Sequence, residues 1–397
     1  MFEINLGIIT SSFIPAVGGV EISLYNLSNS LISKNIKPIV FVPFAHFQNI
    51  KRNKIKLPYQ VIALPPKFFG FLDISPRFFF YFSNLYIKKI SLKYKIDAWH
   101  GLFGYPVGVM LGNYVQINKP NNIPCSCRCV GEDIQIDKNI NYGVRISSKI
   151  NKIFEDKITK LDFLVASSET IKKEYLNLKI SENKIKLIPN PVDLEKFKKK
   201  RQRNKTSFNF LCLGRYHKKK NFELIIKSIN SMNKLWLLKK KIFFYFVGYN
   251  VSLLKKHIND ENSKFIKVFD TKNINQNFSD FPSHEIVEFY RLADCFLMPS
   301  SIESFGNVLT EAMASNLPII SAESKGCVDV LKNGKYGIIV KNNNPKEFNF
   351  YIKKIVDDKV LRTRLIKLSR KRAQHFSLTR ITNEYANFFK TLANVKK

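Results

Sequence analysis

The 397-residue sequence predicts an α/β protein of two Rossmann-like, doubly wound domains facing each other across a cleft. Three observations predict it. Short apolar runs alternate with helical stripes along most of the chain, the pattern of parallel sheets with crossover helices. The alternation breaks near residues 188–207 and then restarts. Glycines cluster after the first apolar run of each half and again near Gly306, at the strand ends where open α/β sheets collect ligands.

In chain order, Ile4–Ile9 reads as a strand and residues 10–19, with Pro15, Gly18 and Gly19, as a loop. Val20–Ser33 carries Leu24, Leu27 and Leu31 at spacings of three and four and reads as a helix. Pro38–Pro43, Tyr59–Ala63, Ile96–Trp99, Cys125–Val130 and Phe163–Ala166 follow as strands of the same sheet. The turn-rich Ile188-Pro-Asn-Pro-Val-Asp193 and the basic run Lys198–Arg203 mark the boundary. Strands then resume at Phe208–Leu213, Ile242–Val247, Phe265–Val268, Cys295–Met298, Pro318–Ser321 and Gly337–Val340, with a helix at Asn221–Ile229. The expected division is a first domain over 1–190, a linker over 191–207, a second domain over 208–375 and a helical tail over 376–397 that could pack back on the first domain. Ligand sites in both halves imply a substrate in each and chemistry between them.

Composition narrows the class. Apolar residues make up 45% of the chain, enough for two cores and against wholesale disorder. Cys125, Cys127 and Cys129 alternate on one strand face and lack the C-x-x-C spacing of a zinc site. They read as buried thiols. The opening MFEINLGIITSSF has an acid, Glu3, and no basic segment of the kind that starts a signal peptide. No 18-residue apolar run suggests a membrane span. The expected location is cytoplasmic, with attachment to the inner face of a membrane left open. The formal charge of +34 has three explanations: nucleic acid, an anionic lipid or substrate, or a genome that favours Lys, Asn, Ile and Phe. No nucleic-acid-binding motif appears, so no specific nucleic acid is expected. The aromatic stretches around Phe71 and Phe78–Phe82 read as a buried helix, because five consecutive aromatics cannot share one face. The alternative is a bilayer-docking face, with Lys67, Arg77, Lys88 and Lys89 beside it.

Three stretches carry chemistry. Pro299–Ala314 follows a strand and opens a helix, with Glu303 before the helix and Glu311 inside it. Gly306 permits close backbone approach, and helix-start amides suit a phosphate. A carboxylate within the helix can accept hydrogen bonds from ribose hydroxyls, and the earlier one can contact sugar hydroxyls. Gly214-Arg215-Tyr-His-Lys-Lys-Lys220 lies between a strand and a helix, where two fixed cations can neutralise a diphosphate. The Gly18-Gly19 loop precedes the first helix. It is no G-x-G-x-x-G fingerprint, and no P-loop occurs in the chain. By themselves these stretches also read as solvated glutamates, a basic surface loop and a tight turn.

Taken together and in order, these stretches resemble the retaining glycosyltransferases of family 4, which have the GT-B architecture. Pro15-Ala-Val-Gly18-Gly19-Val-Glu21 resembles the family's P-x-x-G-G-x-E segment. Lys186–Asp193 resembles V-I-P-N-G-V-D, with Pro191 for Gly. Gly214-Arg215 with Lys220 resembles G-R-x-x-x-x-K, and Glu303–Glu311 the E-x-x-F-G…E element. The resemblance implies that Arg215 and Lys220 bind the donor diphosphate and that Glu311 binds the nucleotide ribose. It further implies that Glu303, with the Phe305-Gly306-Asn307-Val308 backbone, holds the transferred sugar and phosphates. The Gly18-Gly19 loop would face the diphosphate, and Gly214 would shape the donor loop. Glu21, His100 and Glu132 are candidate acceptor or sugar contacts.

One departure concerns H-G-x-D, a segment of many relatives. The corresponding stretch here is Cys129-Val130-Gly131-Glu132-Asp133, with Val130 at the His position. Asp133 joins Arg215, Lys220 and Glu303 among the candidate catalytic groups. No D-x-D occurs, so neither a metal nor another cofactor is expected. The implied partners are a nucleotide-sugar donor, of UDP or GDP type, and a glycan or lipid-linked acceptor, with contact to an anionic membrane as an option. A different class, a non-catalytic basic module, would explain the charge and leave Glu303, Glu311, Arg215 and Lys220 without work. A sugar-phosphate synthase or a glycan phosphorylase could share the architecture.

Overall fold

The computed structural model describes residues 4–16, 18–198, 206–271, 282–341 and 344–395. Val17 of the first glycine loop and most of the basic run, from Lys199 to Arg203, lie outside the described residues. Two compact units emerge, Met1–Pro191 with Leu378–Lys397, and Val192–Ser377.

The first unit holds a seven-stranded sheet in the order β3-β2-β1-β4-β5-β6-β7. Its strands are β1 (Ile4–Ile9), β2 (Ile36–Val42), β3 (Gln60–Ala63), β4 (Ala98–Leu102), β5 (Cys125–Arg128), β6 (Phe163–Ala166) and β7 (Ile185–Leu187). Every pairing is parallel. The strand order reverses direction at β1, the Rossmann switch point where ligands bind beyond the carboxyl ends. Trp99 anchors this core. It is fully buried on β4 with its ring 5.3 Å from that of Phe41. Its indole N–H donates to Ser91 Oγ at 3.0 Å, which satisfies the polar end of a buried Trp. The ring lies so close over β1 that a Cβ at Gly7 would sit 2.3 Å from it.

The strand expected at Ile96–Trp99 instead runs over Ala98–Leu102. His100 and Gly101 disguise its second half in the sequence. Gly101 is closely packed there, and a Cβ would lie 2.9 Å from the Leu111 side chain. The edge strand β7 was hidden among turn residues. Lys186 and Leu187 are exposed, so it shows no apolar run. All six cysteines are free and buried, as the buried-thiol reading of Cys125, Cys127 and Cys129 expected for those three.

The aromatic stretch forms a helix, Pro76–Tyr94, but the buried reading holds for only part of it. Phe79 is buried, whereas Phe78, Tyr81 and Phe82 are exposed. The C-terminal tail is the helix Leu378–Asn394. Ile381, Tyr385, Phe388, Phe389 and Leu392 form its buried stripe, and it packs beside the helix Gly19–Ile32.

The second unit repeats the same topology with six strands in the order β10-β9-β8-β11-β12-β13. These are β8 (Phe208–Leu213), β9 (Ile242–Gly248), β10 (Ile266–Asp270), β11 (Cys295–Met298), β12 (Ile319–Ala322) and β13 (Ile338–Val340). All pairings are parallel. Phe210 and Phe244 stack across β8 and β9, 5.0 Å apart and 11° from coplanar. Helices Pro345–Asp357 and Lys359–Ala373 complete the unit.

Candidate functional site

In the second unit, the carboxyl ends of β8 and β11 bring the predicted stretches together. Gly214 ends β8 at φ +154° and Gly248 ends β9 at φ +151°. A Cβ on Gly248 would lie 2.0 Å from the Gly214 carbonyl oxygen, so the two strand ends approach as only glycine allows. The chain then runs through Arg215 to a 3₁₀ turn, Lys218–Lys220. The His217 ring caps this turn by accepting from the Lys219 amide at 3.2 Å. Arg215 is exposed.

The loop after β11 is fastened to that turn. The Ser301 amide donates to the Lys219 carbonyl at 2.9 Å. Lys220 Nζ forms an ion pair with Glu303 Oε1, and both side chains are largely enclosed. Burial pushes the Glu303 carboxyl up, but the charges of Lys220 and Lys219 and hydrogen bonds from Lys220 and Ser300 outweigh it, and its pKa is lowered. Glu303 is therefore an anion at neutral pH. Its own carbonyl accepts from the Gly326 amide at 3.1 Å. Gly326 is required at this point, because a Cβ would lie 2.4 Å from that oxygen.

Gly306 adopts φ +85° at the start of the helix Asn307–Ala314. Phe305 is buried, its ring 5.4 Å from that of Phe376. Backbone dipoles make such a helix start favourable for an anion. Leu317 donates to the Ala312 carbonyl at 3.0 Å, closing the helix before Pro318. Val308 and Glu311 lie on this helix. Glu311 is half-buried, and its Oε2 accepts from the Tyr290 hydroxyl at 2.6 Å. Tyr290 is fully buried, edge-on to Phe197 at 5.4 Å and stacked on Phe296 at 5.9 Å. Burial raises the Glu311 pKa, against the Tyr290 hydrogen bond and the charges of Lys196 and Lys220. The two glutamates thus differ: one is held ionised by a lysine, the other is poised by a tyrosine.

In the first unit, Gly18 precedes the helix Gly19–Ile32. The Glu21 side chain folds back toward it, and Glu21 Oε1 accepts from Ser12 Oγ at 2.5 Å. Asp133 is buried. Its Oδ1 accepts from the amides of Val130 at 2.9 Å and Gly131 at 2.8 Å, and its Oδ2 from that of Gly104. Burial pushes its carboxyl up against those amides. These bonds give Asp133 the work of fastening the loop after β5 to the loop after β4. Glu132 beside it is exposed. His100, expected at a strand end, lies inside β4 and is fully buried. It shares a hydrogen bond with Ser126 Oγ at 2.9 Å, and its ring lies 5.2 Å from that of Phe389. Burial and the charge of Arg128 lower its pKa to about 3, so it is neutral at physiological pH.

Sequence reasoning missed Tyr290 and Gly326. Tyr290 sits on a helix with no motif, and its role appears only when the fold brings it to Glu311. Gly326 follows β12, a strand end where a glycine is a usable signal. Among the described residues, no group of three or more His, Cys, Asp or Glu is placed to hold a metal ion.

Two Rossmann-type units, one gathering cations, carboxylates and a helix start at the carboxyl ends of its strands, fit the glycosyltransferase class. Residues 193–372 match the family described as Glycosyl transferases group 1, and residues 17–196 the Glycosyltransferase Family 4. The chain belongs to this family of GT-B glycosyltransferases. It is 30% identical to the capsular polysaccharide biosynthesis glycosyltransferase CapM of Staphylococcus aureus, over 57% of this chain and 61% of that protein. It is 26% identical to an uncharacterized glycosyltransferase of Methanocaldococcus jannaschii, over 92% of this chain and 93% of that one. A crystal structure of a glycosyltransferase from Rickettsia africae superposes with a TM-score of 0.74 at 16% identity, covering 99% of this chain and 100% of that one. The Anabaena HepE in complex with UDP gives 0.72 at 15%, covering 98% and 100%.

Proposed function

We propose that the chain transfers a hexosyl-type group, with retention of configuration, from a UDP- or GDP-sugar to a hydroxyl of a glycan or lipid-linked acceptor in surface polysaccharide or glycolipid synthesis. The observation that carries the reading is the Lys220–Glu303 pair beside Gly214, with the Tyr290-held Glu311 on the following helix. UDP in the HepE complex and the polysaccharide role of CapM support it.

In this reading Glu311 accepts hydrogen bonds from the ribose hydroxyls. Arg215 reaches the diphosphate, and Lys220, with two N–H groups left beyond Glu303, shares it. The backbone from Phe305 to Val308 meets phosphate and sugar. The two cations take up the charge that develops as the diphosphate leaves. An oxocarbenium-like centre then meets the acceptor hydroxyl on the face the diphosphate left, and the departing phosphate oxygen takes the proton. This role for the phosphate removes the need for a His at Val130. His100 and Asp133 are not carried into the reaction, because both are enclosed by bonds inside the first unit. Gly18, Gly19, Glu21 and Glu132 remain proposed contacts for donor or acceptor. The cations replace a metal, so a chelator should leave turnover unchanged. A non-catalytic basic module is not favoured, since it leaves Glu303 and Glu311 without a task.

The test is transfer from a panel of nucleotide sugars to a mixed glycan and glycolipid acceptor pool, with the product anomer resolved by NMR. Retention is expected. An inverted linkage would overturn the mechanism, and no turnover with any donor would overturn the function.

A further inference from the structure

We propose that the first unit docks on an anionic lipid bilayer through an aromatic patch on the helices Gly70–Ile74 and Pro76–Tyr94. The inference deepens the proposed function and rests on its reading of a lipid-linked acceptor.

Phe71, Ile74, Phe78, Tyr81, Phe82 and Leu85 are all exposed, Ile74 at 80% and Tyr81 at 61%. The four rings among them are contiguous. The ring of Phe71 lies 6.2 Å from that of Phe78, Phe78 lies 4.2 Å from Phe82, and Phe82 lies 5.3 Å from Tyr81. Phe78, Phe82 and Leu85 share one helix stripe, at spacings of four and three. The neighbouring Phe79 is buried and packs on Phe68 at 5.6 Å, so the helix has a core face and a separate exposed aromatic face. Clustered rings in contact with water mark an interaction surface rather than scattered surface residues.

Charge selects the partner. The helix Pro76–Tyr94 carries Arg77, Lys88, Lys89 and Lys93 and no Asp or Glu. Lys67 and Lys149 are exposed nearby in the fold. Asp73, the acid beside the patch, has its Oδ1 held by the Tyr105 hydroxyl at 2.8 Å. An apolar face flanked by cations suits the headgroup boundary of an anionic leaflet. No helix among the described residues is long and apolar enough to cross a membrane, so the contact is peripheral.

Position supplies the use. Tyr105 lies in the loop after β4, and its bond to Asp73 ties the patch to the carboxyl edge of the first sheet. Lys149 reinforces the tie by donating to the Asp73 carbonyl at 3.1 Å. Ligands of such sheets gather at that edge. A bilayer held against the patch would therefore present a lipid-linked acceptor beside that edge.

The experiment is flotation of the full chain with phosphatidylglycerol–phosphatidylcholine vesicles and with pure phosphatidylcholine vesicles. The variants are Phe78→Ser with Phe82→Ser, Lys88→Glu with Lys89→Glu, and Leu235→Ser as an exposed control in the other unit. Wild type and control should float with the anionic vesicles, and each double variant should lose at least about tenfold in partitioning. Unchanged thermal melting establishes that the variants fold. A Phe82→Trp chain should gain fluorescence quenching by brominated lipid beyond that of wild type. Equal flotation of the aromatic variant, or no added quenching, would overturn the proposal. So would a dimer that the aromatic substitutions dissolve, which would assign the patch to a second copy of the chain. Nucleotide binding, measured on the same samples, separates the two readings. Vesicle binding without nucleotide binding would sink the transferase reading and leave the docking surface standing.

Discussion

Replacing Tyr290 with Phe removes one oxygen and leaves the ring in its pocket against Phe197 and Phe296. The lost group is the hydroxyl that donates to Glu311 Oε2 at 2.6 Å. A hydrogen bond to a charged acceptor contributes about 1.5–3 kcal/mol, so the ionised carboxylate loses roughly that much support. If ribose hydroxyls bind the carboxylate, affinity should fall roughly tenfold to a hundredfold. The sign of the pH dependence follows from the bond. Tyr290 lowers the Glu311 pKa, against the burial that raises it. Deleting the hydroxyl raises that pKa further, and more of the protein carries a neutral Glu311 that cannot accept from both hydroxyls. Binding by the variant should therefore strengthen as pH rises through its own pKa, with the gap to wild type closing in alkali. Calorimetric titration of the nucleoside diphosphate over a pH series running upward from the ordinary glutamate value of 4.5 reads both effects. Thermal melting should also fall, by up to about 1.5–3 kcal/mol, because the partly buried Glu311 carboxylate loses its partner. Equal affinity at every pH would refute the reasoning. A uniform, pH-independent loss would move the cause from the carboxylate to packing.

Three further outcomes follow from the same geometry. Arg215→Ala should leave melting within about 0.5 kcal/mol, as expected for an exposed side chain, while nucleoside diphosphate affinity falls about tenfold or more with the loss of a charge-assisted bond; unchanged affinity would remove Arg215 from the site. Gly326→Ala places a methyl against the Glu303 carbonyl and should cost about 1–3 kcal/mol of stability together with donor binding, whereas a variant that melts and binds like wild type would show that the loop has room. Glu303 has a lowered folded pKa, so its contribution is present above the unfolded glutamate value of 4.5 and is lost as pH falls through the folded value. Acid unfolding of wild type should show this loss below about pH 4.5, and Glu303→Gln should melt lower at neutral pH by about 3–5 kcal/mol, because Lys220 is left enclosed without its partner.

How much of this was legible in the sequence depended on whether a residue's surroundings were local. The buried parallel strands announce themselves as continuous apolar runs, and Phe208–Leu213 and Cys295–Met298 appear at their expected bounds. The strand β7 does not, because Lys186 and Leu187 face solvent. The strand β4 is displaced from its expected position because its polar His100 is satisfied by Ser126, on the neighbouring strand. The same limit governs the site. Glu303, Gly306 and Glu311 stand in one segment whose spacing carries the signal. Tyr290 reaches Glu311 from another helix, and Gly326 reaches Glu303 from beyond β12. Asp133 shows the reverse case. A polar residue just past a strand reads as a candidate catalytic group, yet amides from two loops converge on its oxygens. The aromatic helix was only half legible, since its sequence shows that one face cannot hold all five rings but not that Phe78, Tyr81 and Phe82 stay in solvent.

The most direct measurement is calorimetric binding of nucleoside diphosphates and their monophosphates to wild type, Arg215→Ala and Glu311→Gln. One base should bind, with the diphosphate tighter than the monophosphate. Arg215→Ala should erode that preference, whereas Glu311→Gln should weaken both ligands alike, because the ribose is common to them. Binding of no nucleotide, or binding by both variants at wild-type strength, would contradict a donor site built on the carboxyl ends of β8 and β11.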